Sequence, residues 1–146
     1  MNRSIYTTCA LHGLNLCPSS PITLIMGDGG LLKSNVLQCL HTAYNLSQQY
    51  DADKWASIWT LVTGISNVNV KCPVMTRWEC VGECVEHVTK YREQWKLVAQ
   101  NIVTTEKSNN KNTIASYLTS YLNEPISMAH IYFMRGYYRS WWNPHF

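Results

Sequence analysis

Residues 76–102 read TRWECVGECVEHVTKYREQWKLVAQNI, and this stretch decides the fold. Thr76-Arg77-Trp78-Glu79 fits a capping box, in which the Thr76 hydroxyl accepts from the backbone N–H of Glu79 and the Glu79 carboxylate reaches back to the cap. A helix is expected to start there. Its apolar stripe is Val81, Cys84, Val85, Val88, Tyr91, Trp95, Val98 and Ile102, which stays in phase throughout. Glu79, Glu83, Glu86, Lys90, Glu93 and Lys96 fall on the other face, with Glu86 four residues ahead of Lys90 in the favourable order for an ion pair. That face is expected to be solvated.

Upstream, Leu32, Val36, Leu37, Leu40, Ala43 and Tyr44 repeat at helical spacing and predict an amphipathic helix over 31–49. A second helix is expected after Asp53 as N-cap, with Trp55, Ile58, Trp59 and Val62 on one face and Gly64 at its end. Residues 67–71 alternate as a short extended segment does, up to Pro73. Downstream, residues 104–113 have no apolar member and predict a loop or hinge. A short helix over 114–122 should halt before Pro125, and a last one should run from Pro125 to Gly136, since proline is tolerated in a first turn. Leu31 onward thus predicts a mainly α protein, with residues 31–146 as a helical region.

The chain of 146 residues is 46% hydrophobic and 14% charged, enough apolar matter for one core and too short for several domains. A formal charge of +3 is too mild to announce a nucleic-acid binder by electrostatics alone. Six tryptophans in so short a chain are the unusual entry in the composition. Gly27-Asp28-Gly29-Gly30 lacks the Gly-Lys-Ser/Thr of a phosphate loop and reads as a turn. His41, His87, His130 and His145 share no spacing with Ser or Asp partners that would make a triad. No apolar run of membrane-spanning length or secretory leader is visible, so the expectation is a protein that neither spans a membrane nor is secreted. The six cysteines are expected to be buried free thiols. A disulfide framework stays open as an alternative, as does a thiol or zinc site built on Cys72, Cys80, Cys84 and His87.

Two segments, in order, resemble one family. Cys9-Ala10-Leu11-His12-Gly13-Leu14-Asn15-Leu16 is similar to the C-x-x-H-x-L-N-L element of hAT superfamily DNA transposases. Lys71-Cys72-Pro73-Val74-Met75-Thr76-Arg77-Trp78 is similar to their Thr-Arg-Trp element, and the intervening and following helices look like the start of the helical domain inserted into their RNase H-like core. The resemblance spans roughly residues 9–95. It implies that residues 1–30 are a remnant of the junction between catalytic core and insertion, and that residues 31–146 belong to the insertion domain. It further implies contact with transposon-end DNA: Cys9 and His12 beside the catalytic core, Trp78 stacking on a displaced base, and Arg77 on a phosphate.

The family's two Mg2+ ions are held by three carboxylates, two of them upstream of the Cys/His element. Eight residues precede Cys9 and none is acidic, while Asp28, Asp51 and Glu124 match none of the catalytic positions. The expectation is therefore a chain inactive in strand transfer by itself, without a cofactor of its own, with DNA as partner and the nucleus as location. A rival reading makes it a helical interaction module in the cytoplasm, docking a protein partner or a further copy through the aromatic C-terminal segment. Arg135 and Arg139 lie there among Tyr132, Tyr137, Tyr138, Trp141 and Trp142, a pattern that suits either a stacking-and-phosphate surface or a core face.

Overall fold

A computed structural model describes residues 33–66, 68–74 and 78–141. A π-helical turn (Lys33–Leu37) leads into α1 (Gln38–Gln48), followed by α2 (Ala52–Thr63), α3 (Trp78–Lys90), α4 (Arg92–Thr105), α5 (Asn109–Asn123) and α6 (Pro125–Trp141). The protein is mainly α, and no strand occurs among the described residues. Residues 1–30, where a remnant of an α/β core was expected, lie outside the described residues.

The stripe over residues 81–102 is helical but divided. Tyr91 sits at φ −108°, ψ 25°, outside the helical basin, and separates α3 from α4. The ladder is nonetheless carried across it, with Tyr91 N–H donating to His87 O (3.0 Å) and Trp95 N–H to Tyr91 O (2.8 Å). The break coincides with a change of partners: α3 packs on α6, whereas α4 packs on α2 and α5. Periodicity reports which residues face inward and is blind to which neighbour they face, so the division was not legible in it.

Other boundaries shift for equally local reasons. Asp51, not Asp53, caps α2: its backbone is extended (φ −68°, ψ 163°) and its carboxylate accepts from Lys54 N–H at 2.7 Å. Gly64 ends that helix at φ 75°, a left-handed conformation that glycine adopts without steric cost. The predicted loop over 104–113 contracts to residues 106–108. Its flanks are polar but helical; Thr104 and Thr105 satisfy their hydroxyls on carbonyls one turn back, and Asn112 Nδ2 donates to Val103 O at 2.7 Å to hold the turn shut. Polarity marked exposure there rather than chain reversal.

The core has two parts. On one side α5 packs against α1, α4 and α6, burying Ala115, Leu118 and Leu122. On the other, an aromatic cluster joins α2 to the α3–α4 pair: Trp59 meets Trp95 edge to face (5.0 Å between ring centres, 86°), and Trp55 lies 5.8 Å from Trp95. Trp55 and Trp59 are thus core residues, as their four-residue spacing implied. Arg92 Nη2 donates to Leu122 O (3.1 Å), satisfying a carbonyl in the last turn of α5.

Candidate functional site

Gly82 sets the distance between α3 and α6, because the ring of Tyr138 lies where a β-carbon on residue 82 would project. This close approach puts the second half of α3 against the C-terminal half of α6. Between them runs an open groove of about 360 Å³ whose charged lining is Glu86 and Lys90 from α3 and Arg135 and Arg139 from α6. His87, Thr89 and Tyr91 complete its wall.

Arg139 grips Glu86 with two hydrogen bonds, Nε to Oε1 at 2.6 Å and Nη2 to Oε2 at 2.9 Å. The fork is bidentate and the Glu86 side chain is only 11% exposed, so this pair is a fixed part of the helix seam. The expectation of a solvated Glu86 facing Lys90 is corrected accordingly: the carboxylate turns to the other helix, where a planar guanidinium offers two donors in place of one ammonium. Three cations then stand against one carboxylate along the groove, a surplus of two positive charges. Both Lys90 and Arg135 lie over aromatic rings, Lys90 Nζ 5.2 Å from the centre of Tyr91 and the Arg135 guanidinium 4.6 Å from that of Tyr132.

His87 forms the floor between the groove and a smaller cavity of about 100 Å³ lined chiefly by Leu40, Ala43, Val70, Cys84 and Val88. Trp95 Nε1–H donates to His87 Nε2 at 3.2 Å, which fixes the neutral tautomer with its proton on Nδ1. Burial, and secondarily the Lys90 ammonium, pull its pKa down from 6.5 to about 4. With the Nε2 lone pair occupied, His87 is a structural residue rather than a general base.

The unfolded chain takes up a proton on residue 87 near pH 6.5 and the folded chain only near 4. Stability from this residue is therefore fully present above pH 6.5 and lost as pH falls toward 4, by about 2–3 kcal/mol. Urea unfolding at pH 7 and pH 4 of the native protein and of His87→Gln should show the native protein losing that much more than the variant. Parallel losses would contradict the assignment.

The described cysteines are free thiols, as expected, but only Cys39 and Cys84 are buried; Cys80 is half-buried and Cys72 exposed, against the expectation of burial. Burial pushes the thiols of Cys39 and Cys84 up to about 12, far from nucleophilic, and Cys84 Sγ donates to Lys71 O at 3.5 Å. Among the described residues no three of His, Cys, Asp and Glu are grouped so as to hold a metal ion. Cys72, Cys80, Cys84 and His87, all described, do not form such a group. No helix among the described residues is long and apolar enough to cross a membrane.

Of the residues expected to touch DNA, Cys9, His12 and Arg77 lie outside the described residues. Trp78 opens α3, and its side chain lies outside what is described. Helical rise puts its backbone roughly 12 Å along the same helix from Glu86. Sequence reasoning noticed Arg135 and Arg139 but missed that Lys90 and Glu86 join them. The available signal was that both pairs repeat at four-residue steps, which aligns charge along one edge of each helix. No protein-family model, no curated protein and no solved structure matches this chain.

Proposed function

We propose that this chain is a hAT-transposase-like, DNA-end-handling helical module that performs no strand transfer by itself and acts in the nucleus. The observation that carries the proposal is the α3–α6 groove, where Lys90, Arg135 and Arg139 outnumber Glu86 beside the Tyr91 ring. Guanidinium and ammonium groups suit phosphate oxygens, and neighbouring rings suit unpaired bases. The groove lies on the helix that begins with the Trp78 of the Thr-Arg-Trp element, so one helix would present both a base-stacking residue and phosphate contacts.

The test is binding of the chain to a DNA hairpin and to plain duplex, each at 50 and 200 mM salt. With two phosphate contacts, affinity should fall about tenfold over that range. Trp78→Ala should weaken the hairpin more than the duplex, because only the hairpin offers unstacked bases. Salt-independent binding, or equal losses on both substrates, would remove the proposal.

A second reading, a protein-docking module, is favoured by one observation. Ile126 and Phe133, seven residues apart on α6, are 61% and 52% exposed, and Tyr117 on α5 is 57% exposed. Apolar docking on that face would be insensitive to salt and would be lost with Phe133→Asp.

A further inference from the structure

The charge arrangement in the groove bears on which phosphate it takes. Arg139 is committed to Glu86 through both arms of its fork, so the surplus charge resides on Lys90 and Arg135. Lys90 is exposed and Arg135 half-buried, and each cation is held near an aromatic ring by a cation–π contact. Two cations fixed on opposite walls of one groove, one per helix, are suited to an anion bearing two charges. A phosphodiester within a strand carries one negative charge, whereas a terminal phosphomonoester carries between about 1.5 and 2 at pH 7 and offers three acceptor oxygens.

Size points the same way. A volume of about 360 Å³ lies at the low end of the range for small-molecule sites, enough for one nucleotide and too small to admit a duplex. The Tyr91 ring in the groove wall, with Lys90 over it, gives the base of that nucleotide an aromatic neighbour.

We infer that the α3–α6 groove is a receptor for a phosphorylated strand end: Lys90 and Arg135 bind a terminal phosphomonoester, and the Glu86–Arg139 pair holds the groove's charge at the value that such a dianion neutralises. This inference rests on the nucleic-acid reading above. It adds that the groove distinguishes a strand end from the strand's interior. Glu86 is a positioning residue in it, since removing its charge would raise the groove's positive surplus from two to three and make an ordinary phosphodiester an acceptable ligand.

The experiment is fluorescence anisotropy of the full chain with short single-stranded oligonucleotides, identical except for a 5′-phosphate or a 5′-hydroxyl, at constant ionic strength. The phosphorylated strand should bind at least tenfold more tightly. Inorganic phosphate should displace it at concentrations where chloride of equal ionic strength does not. Arg135→Gln, at a site on the groove surface, should reduce the preference to twofold or less with an unchanged melting temperature. Glu86→Gln should tighten the hydroxyl-ended strand severalfold and so narrow the preference from the other side. If Arg135→Gln lowers the melting temperature, phosphate displacement from the unmodified protein decides the matter. Equal affinity for the two strands would overturn the inference and leave the nucleic-acid reading standing, whereas absence of binding to either would overturn both.

Discussion

Replacing Trp95 by alanine is expected to lower the free energy of unfolding by about 4 kcal/mol. The indole is fully buried where α2 meets the α3–α4 pair and contacts both Trp55 and Trp59. Its removal leaves a large cavity among rigid rings that cannot collapse to fill it, and it also strips His87 Nε2 of its donor. A domain of this size is stable by about 5–15 kcal/mol, so the variant should keep a much reduced margin against unfolding. Urea denaturation followed by far-UV circular dichroism measures the loss directly. Trp95→Phe, which keeps most of the volume and loses the N–H, should fall between the two. A loss under about 1.5 kcal/mol for the alanine variant would mean that the aromatic cluster is not the keystone of this half of the core.

The second large effect is predicted at the smallest side chain in the α3–α6 seam. Gly82→Ala removes a residue that disfavours helix by about 1 kcal/mol, and on an isolated helix it would stabilise. In the folded protein the added methyl would overlap the Tyr138 ring, which is buried. The helices must separate, and the Glu86–Arg139 fork must stretch with them. The net expectation is a loss of about 2 kcal/mol, the cost of overpacking exceeding the gain in propensity. Because the clash needs both partners, Gly82→Ala combined with Tyr138→Ala should cost clearly less than the sum of the single changes. A neutral or stabilising Gly82→Ala would show that the two helices do not approach as described.

These two residues also mark what the sequence made legible. Trp55, Trp59 and Trp95 are placed in the core by helical periodicity because a large apolar side chain on an inward stripe has nowhere else to go. Gly82 carries no such signal: its role depends on a ring 56 residues away, on a helix whose packing partner periodicity does not name. The same holds for Glu86. It lies on the polar face of α3 as expected, and only the arrival of Arg139 from α6 turns that face from solvent to seam. The end of α2 at Gly64 was readable because the left-handed conformation is local chemistry, whereas the cap at Asp51 was misassigned to Asp53, another acid two residues further on. The candidate groove was therefore half visible, as basic residues among aromatics on α6, and its other wall was hidden in a face taken for a solvated one.

The division of labour between the two halves of the core has a functional corollary. Trp95 holds His87, and His87 lines the groove, so this wall of the groove is backed by the aromatic cluster. A binding surface supported in this way needs little ordering when a ligand arrives, which favours affinity from few contacts.

The most direct measurement is the affinity of the intact chain for a DNA hairpin compared with that of the double variant Lys90→Gln/Arg135→Gln, both shown by circular dichroism to be equally folded. If the groove between α3 and α6 is where phosphate binds, the double variant should lose about thirtyfold in affinity and most of its salt dependence. An unchanged affinity and an unchanged salt dependence would contradict it.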